Sequence, residues 1–352
     1  LAILTATGQI PAQLTASATA VGELALDGTV RAIAGTLAYA LAAVRSRHDL
    51  IGPKATLASA MAVKGLTCRR LDALQELRSG VLGTAPPMVS REERFECPDL
   101  SDVAGHDGAR RVLEVAAAGG HNLLMVGPPG SGKTLLARRL PGILPPLSDS
   151  ERLETALVHS VAGLDETSIL GGARPFRAPH HTCSVAGLAG GGSPPRPGEM
   201  SLAHNGVLFL DELAEFSPSA LQTLRQPMED GTLTLVRAEG RVRYPARFTL
   251  VASMNPCPCG YLGDPEKACR CADGNIRRYN NRVGGPLMDR MDLVLRVDRI
   301  DPDLLLAHNH SEPSALVRER VLRTRAFGES RGGLSAGLSG AGLLGVCRLS
   351  PI

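Results

Sequence analysis

The stretch NLLMVGPPGSGKTLLARRL, residues 122–140, constrains the fold more than any other part of the chain. An apolar run that reads as a buried strand ends at Gly127. The loop Gly127, Pro128, Pro129, Gly130, Ser131, Gly132, Lys133, Thr134 follows, and LLARRL opens a helix. In that context a glycine-rich loop turns backbone N–H groups towards a β-phosphate, and the helix N-terminus adds partial positive charge. The pattern assigns Lys133 to the β- and γ-phosphates of ATP and the Thr134 hydroxyl to Mg²⁺.

The rest of residues 101–300 agrees with this start. GVLFLDE, FTLVASMN and LVLRVDRI are further apolar runs bounded by turn residues and separated by helix-length segments. Such alternation predicts an α/β domain with a parallel sheet and helices on both faces. In open sheets of this kind ligands bind beyond the carboxyl ends of the strands. Asp211 ends one strand and is assigned to Mg²⁺ through water. Glu212, next to it, is the candidate base that orients the attacking water. Asn255 ends another strand and can help position that water.

The flanks read differently. Residues 1–85 alternate Ala/Leu-rich helical patterns with short strands, and the chain starts at Leu1 inside a helical pattern, so it is read as a fragment. Residues 86–100 hold three prolines and a charge cluster and predict a linker. From about residue 326 glycines accumulate without helical periodicity, which predicts a flexible or poorly folded tail. A chain of 352 residues has room for two or three domains. No run approaches the ~18–20 apolar residues of a membrane span. There is no signal-peptide pattern either, so a cytoplasmic setting is expected. A net charge of +3 means that nucleic-acid binding would need local basic patches. The absence of Trp and a 3% aromatic content argue against an aromatic base-stacking platform.

Four of the eight cysteines fall in NPCPCGYLGDPEKACRC, residues 255–271. Cys257, Cys259, Cys269 and Cys271 have the number and type of ligands for structural Zn²⁺, with unliganded thiols or redox chemistry as the other readings. Cys68, Cys97, Cys183 and Cys347 are scattered and read as packed thiols. His180, His181 and Cys183 lie in the Gly/Pro-rich stretch 172–205, either as part of a metal site or as a packed His pair. In GTLTLVRAEGRVRYPARFTL the alternation around RAEG predicts a β-hairpin.

GPPGSGKT, FLDE and Asn255, in this order and spacing, resemble an AAA+ ATPase. RPFRAPHHT, GGGSPPRPGEMSLAHNGVLFLDEL, LRQPMEDG, NPCPCGYLGD and GPLMDRMDL resemble the ComM/YifB family of magnesium-chelatase-like AAA+ ATPases, closely over about residues 95–300. The resemblance extends to residues 1–85, similar to part of the Lon proteolytic domain, an S5 domain 2-like α+β domain. Lon's catalytic Lys has no counterpart here, because residues 31–43 contain none. The family implies a homo-oligomer, a hexameric ring, with Arg290 donated in trans to a neighbour's ATP. A surface ion pair of Arg290 with Asp289 or Asp292 is the plain alternative, and Arg277, Arg278 and Arg282 are weaker candidates for the role. It implies Val103 to His106, including Gly105, around adenine, and a helical lid after residue 300. It also implies pore-facing hairpin arginines, Arg237, Arg241 and Arg243, that touch DNA without sequence preference. The implied function is a DNA helicase or branch-migration motor in natural transformation and recombination. A magnesium-chelatase-type subunit that inserts Mg²⁺ into a porphyrin, a protein-remodelling ATPase, or a chain that binds ATP without hydrolysing it are the alternatives.

Overall fold

A computed structural model describes residues 1–84, 97–237, 240–300 and 311–338, together with 342, 345 and 346. The predicted linker up to residue 96, residues 301–310 where the lid was expected to begin, and most of the tail beyond 338 lie outside the described residues. By its contacts the chain forms two compact units, Leu1–Phe95 with Leu147–Ala173, and Glu96–Pro146 with Arg174–Ile352.

The first unit has a four-stranded sheet. Ala18–Ala20 pairs in parallel with Asp49–Gly52, which pairs in parallel with Cys68–Arg70, which pairs antiparallel with Gly83–Thr84. Its core joins Leu37, Ala40, Leu50 and Leu57 to Leu147, Ala156 and Ile169. The last three come from a segment that the sequence pattern groups with residues 101–300. The helix Asp149–Ala162 begins with a capping box, in which Ser148 and Glu151 each satisfy the other's backbone N–H. It also completes another helix start. Gly35 precedes the helix Thr36–Ser46 and has no side chain to cap it; its N–H donates to the Ser160 carbonyl at 2.7 Å, and the Leu37 N–H donates to the Ser160 hydroxyl at 3.4 Å.

The second unit is built on a five-stranded parallel sheet. Its order is Leu293–Arg296, Leu123–Val126, Thr249–Met254, Val207–Leu210, Phe176–Arg177. Strand residues alternate between two cores. Leu123, Met125, Val207, Phe209 and Val251 meet Leu113 and Ala117 of the helix Asp107–Gly119, with Leu136, Val317 and Val321. Leu124, Leu208, Leu210, Leu250 and Ala252 meet Leu188, Phe216, Leu221 and Tyr279 on the other face. Both faces are covered, which is why the strands read as continuous apolar runs.

The sheet order matters for the site. The strand ending at Asn255 lies between the phosphate-loop strand and the strand ending at Asp211, so three carboxyl ends open at one edge of the unit.

The region after residue 326 corrects an expectation. The helix Ser314–Ser330 runs past the point where flexibility was predicted and packs on the helix Asp107–Gly119. Its buried stripe is narrow, essentially Val317 and Val321, so the periodicity is weak. Polar anchors hold it: Arg320 pairs with Glu114 at 2.7 Å, and Arg325 Nε donates to the Ala117 carbonyl at 2.8 Å near the end of the facing helix. No helix among the described residues is long and apolar enough to cross a membrane.

Candidate active site

The phosphate loop leaves its strand through a hydrogen bond from Gly127 N–H to the Met254 carbonyl, 3.2 Å, which ties it to the neighbouring Asn255 strand. Gly130 and Gly132 hold φ of +77° and +85°, a region that side chains disfavour. The helix Lys133–Ala137 follows directly. Pro129 to Thr134, Asp211, Glu212, Ser253 and Asn255 line one cleft of about 490 Å³.

Lys133 is buried and folds back on its own loop. Its ammonium donates to the carbonyls of Gly127 and Pro128 at 2.8 Å each and lies 3.5 Å from Asn255 Oδ1. Burial pulls its pKa below the usual lysine range, while the carboxylates of Asp211 and Glu212 oppose the fall. The ammonium is thus held by neutral carbonyl and amide acceptors at the wall of the cleft, weaker partners than a charged oxygen would be.

Asp211 is held by two hydroxyls. Thr134 Oγ1 donates to Asp211 Oδ2 at 2.7 Å, across 77 residues of sequence, and Ser253 donates to Oδ1. Sequence reasoning missed Ser253, although a signal existed. It is a fully buried hydroxyl in the central strand, flanked there by Ala252 and Met254, two residues before Asn255 and hence on the same strand face. A buried hydroxyl needs a partner, and here the partner is the carboxylate. Ser253→Ala removes one charge-assisted hydrogen bond, so denaturant unfolding should show a loss of roughly 1.5–3 kcal/mol; stability equal to that of the unsubstituted protein would remove Ser253 from the carboxylate's support.

Glu212 has φ +54° and ψ +49°, a left-handed conformation uncommon for a side-chain-bearing residue. Its N–H donates to Asp211 Oδ1 at 3.1 Å, and its carboxylate lies 3.1 Å from His181 Nδ1. Strain of this type persists where surrounding structure imposes it, and it clusters at functional sites. The His181 contact was not anticipated. His180 lies against His181 with ring centroids 4.0 Å apart and planes tilted by 34°, and its Nδ1 is 2.9 Å from the Thr182 hydroxyl. His180, His181 and Cys183 do not gather as a ligand group. Among the described residues only the four clustered cysteines do. Of the two readings the sequence left open, the geometry matches the paired histidines, the second of which faces Glu212.

The segment expected around adenine lies outside this cleft's lining but touches the loop. Val103 is buried, Gly105 and His106 both have positive φ, and a Cβ on Gly132 would lie 3.3 Å from His106 Nε2. Burial also holds the His106 imidazole below its usual pKa.

A family model and several known proteins match this chain. The family described as magnesium chelatase, subunit ChlI, matches residues 99–305, well over half of the chain. The competence protein ComM of Haemophilus influenzae is 40% identical over 361 residues, which cover 99% of this chain and 70% of ComM. The chain belongs to the ComM/YifB family of magnesium-chelatase-like proteins. The YifB protein of Salmonella typhimurium is 42% identical over 328 residues, 92% of this chain, and the chain spans 64% of YifB's length. Lon protease 2 of Bacillus subtilis is 27% identical over 172 residues, 46% of this chain, a partial likeness.

Three further residue groups of this ComM/YifB family member sit apart from the cleft. Arg290 is about half exposed, does not line its own chain's cleft, and pairs with Glu229 rather than with Asp289 or Asp292. Arg282 pairs with Glu215 at 3.4 Å, while Arg277 and Arg278 are exposed on the helix Asp273–Asn281. The hairpin is present as Thr232–Arg237 paired antiparallel with Gly240–Pro245. Leu233, Leu235 and Tyr244 face inwards. Arg241 and Arg243 share the outer face, exposed and without an ion pair among the described residues. The Arg237 side chain lies outside the described residues.

The cysteines converge. Cys257 Sγ lies 3.4 Å from Cys259 Sγ and 3.6 Å from Cys269 Sγ, Cys259 and Cys269 are 3.6 Å apart, and all four sulfurs lie within 4.8 Å of one another. A tetrahedral site with Zn–S near 2.3 Å needs sulfurs roughly 3.8 Å apart, so the set fits. Backbone N–H groups of Arg270 and Tyr261 hold the Cys259 thiol down to about 6. The Cys271 N–H works to lower Cys269 too, but desolvation and the thiols of Cys257, Cys259 and Cys271 push it up to about 12. Were all four to ionise, a cation would be needed to offset their repulsion.

Proposed function

We propose that this chain is the motor portion of an ATP-hydrolysing ring that acts on DNA. The observation that carries the reading is the single cleft where Lys133, Thr134, Asp211, Glu212 and Asn255 meet. Thr134 and Asp211 offer hard oxygen donors, the type Mg²⁺ takes, and would hold it there. When bound, Mg²⁺ neutralises charge on the β- and γ-phosphate oxygens. The N–H groups of Gly130 and Gly132 and the Lys133 ammonium bind and orient the phosphates. Ser253 keeps the Asp211 carboxylate aimed. Glu212 takes the proton of the attacking water, and Asn255 aligns that water against the γ-phosphate. Arg290 reaches the cleft of the neighbouring subunit in a homo-oligomeric, hexameric ring.

The DNA reading draws support from ComM, named a competence protein, and from Arg241 and Arg243, exposed on the hairpin's outer face without an ion pair among the described residues. It places the chain in branch migration during natural transformation and recombination. The setting is cytoplasmic, where clustered thiols remain available to zinc. The second reading, insertion of Mg²⁺ into a porphyrin, draws on the family's own description. Forked DNA should stimulate ATP turnover, whereas stimulation by porphyrin alone favours the second reading. Replacing Arg241 and Arg243 together by Ala should weaken DNA binding equally for unrelated sequences, because phosphate contacts carry no base information. The salt dependence should become shallower by about one unit for each phosphate that an arginine no longer neutralises. ATP affinity should not change. A double variant that binds forked DNA like the unsubstituted protein would sink the DNA role of the hairpin and move protein remodelling to first place. We also propose that the four cysteines hold one structural Zn²⁺ per chain. A closed Cys₄ site takes no part in hydrolysis.

A further inference from the structure

The cysteine loop is placed against the phosphate loop. It leaves the sheet directly after Asn255, and Gly260, between two ligand positions, is its point of contact. Gly260 has φ +84°, and its N–H donates to the Cys257 carbonyl at 2.9 Å. A Cβ there would lie 2.7 Å from Pro129 Cδ and 2.9 Å from Pro129 Cγ, with Asn255 Cγ at 3.8 Å. The prolyl ring of the phosphate loop therefore rests on the bare backbone of the cysteine loop. Pro129 directly follows Gly127 and Pro128, whose carbonyls hold Lys133. Pro129 thus stands between Gly260 and the two carbonyls that hold the ammonium.

The loop is poor in apolar packing, and polar contacts shape only its middle, where Asp264 Oδ1 accepts from the N–H groups of Glu266 and Lys267 and the Lys267 and Arg299 cations lie over the Tyr261 ring. Between Cys257 and Cys271 only Cys257 and Gly260 are buried, and most of the intervening residues are exposed. Ordering a backbone costs ~1–2 kcal/mol per residue, which two buried positions do not offset. Its middle is tied to the end of the edge strand and the residues after it: Arg296 Nη2 donates to the Gly263 carbonyl at 2.7 Å, and Arg299 pairs with Glu266 at 3.0 Å and with Asp264 at 3.4 Å. Its near end, at the phosphate loop, is closed by the sulfurs.

We propose that the zinc-bound cysteine loop is a buttress for the phosphate loop, with Gly260 as the positioning residue through which the metal sets nucleotide affinity. This rests on the zinc reading above. Zinc locks Cys257, Cys259, Cys269 and Cys271 together, Gly260 is carried to Pro129, and the loop is held in the shape that receives phosphate. Removing the metal frees the loop and leaves Pro129 unsupported.

The test is ATP affinity by calorimetry on the whole chain, with zinc content measured on the same samples. Stripping zinc with a chelator should weaken ATP binding about tenfold or more, the loss expected when one charge-assisted hydrogen bond to phosphate is misplaced. One equivalent of Zn²⁺ should restore it. Gly260→Ala should keep its zinc and still lose affinity, because the added methyl meets Pro129. Gly263→Ala is the control: it sits in the same loop with φ +74°, but its Cβ would meet only the flexible end of Arg296, at 3.0 Å. It should bear the same backbone strain and bind ATP normally. Zinc-containing protein whose ATP affinity is unchanged by stripping overturns the buttress and leaves the zinc site standing. Protein purified without zinc, with Cys257→Ser binding ATP normally, overturns both. Equal losses in Gly260→Ala and Gly263→Ala would assign the effect to backbone strain and overturn the role of the Pro129 contact. If Gly260→Ala fails to fold, stripping and reloading decide the matter alone.

Discussion

Replacing Glu212 by Gln should leave ATP bound and lower turnover by about 10²–10⁴-fold, the usual contribution of a positioned general base. The substitution keeps size and hydrogen-bonding reach but cannot take a proton. The phosphate-binding groups, Lys133 and the loop N–H donors, are untouched, and Asp211 keeps both hydroxyl partners. Stability should hardly move, since Glu212 is at a cleft mouth and contributes no core packing. Calorimetry for ATP affinity beside a phosphate-release assay for turnover separates the two quantities. Equal hydrolysis by Glu212→Gln and the unsubstituted chain would remove Glu212 from the mechanism. Loss of ATP binding in the same variant would make it a binding residue instead.

Replacing Arg290 by Ala should cost about 10³–10⁵-fold in turnover, the range an arginine supplied in trans gives to phosphoryl transfer. Within its own chain Arg290 makes one partly exposed ion pair, with Glu229. Such pairs contribute only ~0–1 kcal/mol to stability, so folding and ATP affinity should be nearly unchanged. The discriminating experiment mixes Arg290→Ala chains with Glu212→Gln chains. If Arg290 acts on a neighbour, mixed assemblies regain activity, because a chain with intact Glu212 can receive Arg290 from the other type. Failure to regain activity in verified mixed assemblies would tell against action in trans. Glu229→Gln is the companion measurement: a purely structural role for the pair predicts that it mimics Arg290→Ala.

Much of the second unit was legible because its signals are contiguous. The strand, glycine loop and helix around Gly127–Thr134 occupy one unbroken stretch. Each element is recognised by neighbours a few residues away. The buried strands of a parallel sheet announce themselves as apolar runs, since both faces are covered. The two C-x-C pairs were legible as a metal-type set by residue type and number, while the path of the loop between them brings the sulfurs together. The Ser314–Ser330 helix was read only in part. Its hold on the unit comes from Arg320 and Arg325, which meet Glu114 and Ala117 across 206 and 208 residues, and not from a wide apolar stripe.

The sequence by itself determined the class of the fold, the phosphate loop and the family, because local periodicity and long motifs carry that information. Tertiary structure alone decided which side chains meet. Ser253 reaches Asp211 over 42 residues, His181 reaches Glu212, and Gly260 reaches Pro129. It also decided that residues 147–173 close the core of the first unit. These contacts depend on the order of strands in the sheet and the path of the chain between them. A window of sequence holds one partner of each pair, and the other is supplied only when folding brings distant strand ends together.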